Sequence, residues 1–261
     1  SFFGRKQELS QLEEYLSLVE TGEAVGPFLV MGQSGTGKKR LLRQLVLMSN
    51  RSFNFIKVEG KATSQRYEGS SWNDLRQALE KLGDEMGISL LEEEDDLISV
   101  WNQLQGLSKE KPLLILLENA QWFDAVSLEK VKQLEERRSQ EKWQLIFTAE
   151  EPLPDFFVNF LGSLKVEKRL SQLELTNFDP SESRALLKGE LGAIEPAVME
   201  QMVEWSEGSP FFLSSYIEEW KENENLEPLP DIIQAYLSQE LGDMSSEEEA
   251  LLHYLSCFHK P

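Results

Sequence analysis

Residues 32–38 read Gly-Gln-Ser-Gly-Thr-Gly-Lys, the spacing G-x-x-x-x-G-K. Glycines at these places let the backbone curl until successive N–H groups point inward, and such a nest binds anions. The apolar run "FLVM" (28–31) precedes the loop and a helix-forming run follows it, so the helix adds the partial positive charge of its N-terminus. Lys38 then meets the β- and γ-phosphates of a nucleotide as a point charge. Gly32, Ser34, Gly35, Thr36, Gly37 and Lys38, with the next cations Lys39 and Arg40, are the candidate nucleotide contacts. A second stretch, "LLILLENAQWFD" (113–124), is an apolar strand ending in an acid. In phosphoryl-transfer sites that acid holds Mg²⁺ and its neighbour polarises water; here they are Glu118 and Asn119.

The elements that must position these groups follow from the hydrophobic pattern. Strand-type runs at 28–31, 53–59, 113–118, 143–149 and 173–176 alternate with helical patterns at 38–48, 72–86, 95–105 and 127–138. Several of the runs are apolar almost throughout, as strands buried on both faces are. Alternating strands and helices predict a parallel sheet covered by helices on both sides. Beyond Asp179 the strand signal stops. "DPSESRALLKGEL" opens with a turn and an N-cap and then sets Leu186, Leu187 and Leu191 on one face. Helical patterns continue at 196–206, 210–221, 231–241 and 246–257. The expected organisation is an α/β core carrying the phosphate loop (1–178), a small all-helical lid subdomain (179–245) and a further helical stretch (246–261). The chain reads as part of something longer.

Of 261 residues, 26 are Lys or Arg and 46 are Asp or Glu, a net charge of −20. The imbalance is uneven: residues 1–60 hold eight basic and six acidic side chains, residues 171–261 four basic and nineteen acidic. Nucleic-acid binding depends on Lys and Arg neutralising phosphates, so direct nucleic-acid binding is not expected. The acid excess serves either solubility or docking to a basic partner. The longest clean apolar run, 113–117, is far short of the ~20 residues of a membrane span. The single cysteine, Cys257, forms no internal disulfide and fits a reducing, cytoplasmic setting. His253 and His259 lack a metal-ligand constellation, and "LEEEDDL" (91–97) reads as a solvated helix start.

Taken in order, "FFGRKQELSQLEEYL", the phosphate loop, "ENAQWFD", "FTAEEP", "LSQLELTNFDPSESRALL", "EGSPFFLSSYIEEW" and "LPDIIQAYLSQEL" resemble the STAND/AAA-type signal-transduction P-loop ATPase domains. These occur in large transcription activators, in kinase-fused regulators and beside class III adenylyl cyclases. The resemblance implies a P-loop NTPase core with ATP or ADP bound between it and the helical subdomain, and that 246–261 starts a truncated helical or winged-helix module. It also implies that Phe3, Gly4 and Arg5 lie near adenine and ribose, and that Pro210 of Gly208-Ser209-Pro210 touches the base.

Three positions depart from that pattern. Lys39 stands where the family has Ser or Thr, Asn119 where it usually has a second acid, and Glu150 where an arginine usually follows the fourth strand. Each loss removes part of the positioning and charge stabilisation that phosphoryl transfer needs. The sequence therefore points to an adenine-nucleotide-binding regulatory switch in a larger signalling protein, with hydrolysis weak or absent and nucleotide held with or without Mg²⁺. Its partners would be nucleotide and attached output domains or other proteins, not a membrane. No residue is assigned as catalytic, and Glu118 is the metal ligand only if Mg²⁺ binds. The alternative is a pseudo-ATPase scaffold for protein–protein contact that binds no nucleotide. An oligomeric motor would need an intact Mg²⁺ site and an arginine finger, neither of which is legible. Two outcomes are open to Lys39 within the site: it pairs with Glu118 in place of the metal, or it swings outward so that its charge reaches solvent.

Overall fold

The structure is a computed structural model and describes residues 3–23, 25–88, 96–138, 141–166, 170–226 and 229–242. The expected helix over 246–257, the module from 246 onward, His253, Cys257, His259 and residues 91–95 lie outside the described residues.

Contacts divide the chain between Thr176 and Asn177. The first unit is built on five strands: β1 (Phe28–Gly32), β2 (Asn54–Glu59), β3 (Leu113–Glu118), β4 (Trp143–Ala149) and β5 (Ser171–Leu175). They form one sheet in the order β2-β3-β4-β1-β5, and every pairing is parallel. The patterns account for the places. β3 and β4 are buried at every position and sit inside; β2 and β5 mix exposed and buried positions and form the edges.

Helices cover both faces. On one side α1 (Lys6–Glu20) and α2 (Lys38–Ser49) set Leu12, Leu16, Leu41, Leu42 and Leu45 against Phe28, Val30, Leu114, Leu116 and Ile146. On the other, α3 (Ser70–Met86), α4 (Asp96–Leu107), α5 (Ala125–Arg137) and α6 (Asp155–Val166) pack on Leu29, Ile115, Leu117, Leu145 and Phe147. Each fully buried Leu, Ile or Phe contributes roughly 1.5–3 kcal/mol relative to exposure, so the two apolar layers hold the strand ends rigidly in register. No helix among the described residues is long and apolar enough to cross a membrane.

Among the described residues the second unit is helical: α7 (Pro180–Leu191), α8 (Pro196–Ser206), α9 (Pro210–Asn223) and α10 (Asp231–Gly242). Asp179 caps α7, accepting from the N–H of Ser181 at 2.7 Å and of Glu182 at 2.9 Å, and Glu182 returns the bond to the N–H of Asp179. Gly208 precedes α9. A Cβ there would stand 2.0 Å from the carbonyl oxygen of Phe178, so only glycine allows this approach.

Candidate nucleotide-binding site

Strand order assembles the site. β4 lies between β1 and β3. The residue after β4, Glu150, therefore emerges between the loop that leaves β1 and the acid that ends β3. This carboxyl end of a parallel sheet is where ligands bind in open α/β folds.

The loop itself is tightly made. Gly35 (φ 79°) and Gly37 (φ 95°) adopt the left-handed conformation, and Gly37 leads into α2. A Cβ on Gly32 would lie 2.7 Å from the carbonyl oxygen of Leu175 and 2.8 Å from Thr36 Oγ1. Thr36 Oγ1 donates to the carbonyl of Gln33 at 2.8 Å and closes the loop on itself. Ser34 and Arg40 are exposed, while Thr36 and Lys38 are buried.

Lys38 is only 6% exposed, and three acceptors surround its ammonium. Nζ donates to the carbonyl of Gly32 at 2.7 Å, to that of Gln33 at 2.9 Å and to Glu150 Oε2 at 3.0 Å. A lysine has three N–H donors, so all are engaged. Glu150 holds the charge that a terminal phosphate would use.

Arg5 is also buried, with a left-handed backbone at φ 57°. Its Nη2 donates to the carbonyl of Thr36 at 3.2 Å and to that of Thr176, and its Nη1 pairs with Glu8 Oε1 at 2.9 Å. The guanidinium thus ties the N-terminal segment to the phosphate loop and to the chain leaving β5. Asn119 is left-handed as well (φ 52°), and its N–H donates to Thr148 Oγ1 at 2.9 Å. Pro210 opens α9 in the helical unit behind the Ser209 cap.

Of the two outcomes open to Lys39, the pairing with Glu118 does not form and the side chain turns outward, 55% exposed. Lys39 Nζ meets Glu59 Oε1 instead, and Glu118 is met by Lys57, whose Nζ lies 2.8 Å from Oε2. The reason lies in the sheet. Glu118 ends a central strand and its side chain is 5% exposed, whereas Lys39 is 55% exposed and reaches toward the solvent edge. Glu59 ends the edge strand β2, in register with Glu118. Lys57, two residues earlier on the same face, is the cation nearest the buried acid. It also stands 3.7 Å from Glu59 Oε2. The hydrogen bond from Lys39, with the charges of Lys57 and Lys61, holds the Glu59 carboxyl below its ordinary range against the opposing effect of burial. Sequence reasoning missed Lys57 and Glu59. The available signal was that β2, like β3, ends in an acid, but it becomes informative only once the two strands are known to be neighbours.

The residues present fit one group and not the other. The curled loop, its glycines and Lys38 suit the phosphates of a nucleotide. The strand ends do not suit a divalent cation: position 39 offers no hydroxyl, and each strand-end acid already faces an ammonium. No cluster of three or more His, Cys, Asp or Glu suited to a metal occurs among the described residues.

Comparison with known proteins agrees with this geometry. Residues 1–147 match the family model described as "AAA ATPase domain". No curated protein matches by sequence. Among solved structures, the Aeropyrum pernix ORC2 protein in its ADP form aligns at a TM-score of 0.57 with 15% identity, over 94% of this chain and 73% of that one. The Aeropyrum pernix ORC1 protein in complex with DNA aligns at 0.56 with 16% identity, over 85% of this chain and 60% of that one. A Pyrococcus horikoshii STAND protein (signal transduction ATPase with numerous domains) with a tetratricopeptide repeat sensor aligns at 0.52 with 17% identity, over 100% of this chain and 35% of that one. The chain thus spans less than two thirds of the ORC1 protein and about a third of the STAND protein. At these identities the likeness is one of fold.

Proposed function

The chain belongs to the AAA ATPase domain family, and from that premise we propose that it is an adenine-nucleotide-binding regulatory domain of STAND type with weak or absent hydrolysis. Domains of this family bind ATP or ADP. The observation that carries the reading is Lys38, held at the phosphate loop by two loop carbonyls and by Glu150. The cradle is built, but its cation is already balanced by a carboxylate. The amides of residues 32–38 and Lys38 would hold the phosphates, and Arg5 supports the loop from beneath through Thr36.

Weak turnover follows from the same residues. Transfer of a terminal phosphoryl group needs positive charge over its oxygens and a positioned water. Glu150 brings negative charge there, and Asn119 cannot take a proton. A nucleotide that biases two conformations needs no hydrolysis, only different affinity for each. The domain would act as such a switch within a larger cytoplasmic signalling protein, with a core over 1–178, a helical lid over 179–245 and an attached module from 246. The solved relatives in an ADP form and with a sensor array support this reading.

Thermal-shift and calorimetric titrations with ADP and ATP, beside a phosphate-release assay, test it. The expected result is stabilisation by nucleotide, lost in Lys38→Ala, with phosphate release near background. Rapid release abolished by Lys38→Ala would refute the regulatory reading. No stabilisation at millimolar nucleotide would instead favour the scaffold, the second reading, which the closed Lys38–Glu150 pair also favours.

A further inference from the structure

We propose that two lysines, Lys39 and Lys57, stand in for the divalent cation of this site, so that nucleotide is held without metal. The inference rests on the nucleotide-binding reading above and adds to it the cation that the site uses.

Glu59 and Glu118 are paired residues at the ends of neighbouring parallel strands. Two carboxylates side by side repel each other and call for a cation between them. This chain supplies ammonium groups. Lys39 meets Glu59, Lys57 lies 3.7 Å from Glu59 Oε2, and Lys57 lies 2.8 Å from Glu118 Oε2. The four side chains alternate in sign, Lys39, Glu59, Lys57, Glu118, across two strands and a helix start.

Each member is placed by chain geometry. Lys39 is the second residue of α2, where the motif usually carries its metal-binding hydroxyl. Lys57 and Glu59 share a face because strand side chains alternate with period two. The two lysines balance the two acids, so a dication entering here would gain no uncompensated charge and would face two ammonium groups. Mg²⁺ also requires near-octahedral oxygen ligands, and the loop offers none from position 39. Glu118 Oε2, buried and accepting no directed hydrogen bond, is the atom a metal would seek, and the charge of Lys57 already covers it.

Two measurements on the whole chain test this. The first is calorimetric titration of ADP and of ATP in excess Mg²⁺ and in excess EDTA. Affinities that agree within about threefold support the proposal; a gain of about tenfold or more with Mg²⁺ overturns it. The second uses no nucleotide: Mn²⁺ binding to the free chain, read by electron paramagnetic resonance. The wild-type chain is expected to leave Mn²⁺ free, and the double variant Lys39→Thr with Lys57→Met to take it up. Mn²⁺ uptake by the wild type, or none by a folded double variant, overturns the proposal. Should the double variant fail to fold, Lys57→Met alone is read in the same way. If nucleotide binds in neither buffer, the nucleotide reading falls, and Mn²⁺ alone decides the replacement of metal by lysine.

Discussion

Lys38 opens α2 and Glu150 follows the end of β4, and the two meet at 3.0 Å, with Glu150 27% exposed and Lys38 buried. A phosphate arriving at the loop must displace one of the three acceptors on Lys38. Two are backbone carbonyls fixed by the loop, so the carboxylate on its flexible stem is the one that yields. On the proposed reading Glu150 would therefore compete with nucleotide. Opposite unit charges at about 4 Å interact by roughly 1–4 kcal/mol between water-like and protein-surface dielectrics, before desolvation is subtracted. Glu150→Gln is accordingly expected to raise ADP and ATP affinity about three- to tenfold, read by calorimetry at constant salt. Unchanged or weaker binding would show that Glu150 does not oppose the phosphate. At this scale the loop was legible from glycine spacing, and Glu150 was legible as a charge of the wrong sign. The partners of Lys39 and Glu118 were not, because they depend on which strands are adjacent, and neither residue is near Glu59 or Lys57 in both sequence and pattern.

Asp124 joins two elements. As N-cap of α5 it accepts from the N–H of Ser127 at 2.9 Å and from Ser127 Oγ at 2.6 Å. The same carboxylate accepts from the N–H of Gly69 at 2.8 Å and of Ser71 at 3.2 Å, at the start of α3. Ser127 Oγ in turn accepts from the N–H of Trp72 at 2.8 Å. Burial pushes the Asp124 carboxyl up, but the hydrogen bonds from Ser127, Gly69 and Ser71 outweigh it and hold it below its ordinary range. Its folded pKa thus lies under its unfolded one. The stabilisation is complete above the unfolded value and is lost as pH falls through the folded value. Asp124→Asn turns one acceptor into a donor facing donors. Loss of a cap and of charge-assisted bonds predicts about 2–4 kcal/mol of destabilisation, or about 5–12 °C in melting temperature. The variant should also lose part of the wild type's acid sensitivity, measured by thermal melts across the carboxylate range. Equal melting temperatures at neutral pH would refute the joint cap. The helix start after Asp124 and the strand before it were readable from pattern. The bond to α3 was not, since Gly69 and Ser71 lie more than fifty residues away. The pattern also separated strands buried throughout from mixed ones, which is why centre and edge were implicit before their order was known. α1 and α6 stood outside the helices read from the strand–helix alternation. The N-terminal stretch entered only through family resemblance, although Leu9, Leu12, Leu16 and Val19 mark one buried face of α1.

For the whole molecule, charge decides which partners a shared fold can keep. The Aeropyrum pernix ORC1 structure is a complex with DNA, and the present chain has its fold at −20. Binding a duplex requires several free cations that release counterions from phosphates. Here four of the eight basic side chains of the first sixty residues are buried or face an acid. Arg5 and Lys38 are buried, and Lys39 and Lys57 face Glu59 and Glu118. Beyond residue 170 acids outnumber bases by nineteen to four. Non-specific protein–DNA binding needs a positive face to reach even ~10⁻⁴–10⁻⁶ M. The chain is therefore expected to leave the anisotropy of a labelled duplex unchanged up to about 50 µM protein at roughly 100 mM salt. Binding that weakens steeply as salt rises would show a cationic surface that the balance of charges does not provide. Binding indifferent to salt would indicate contacts other than phosphate neutralisation. Either result would mean that this chain binds DNA despite its acid excess.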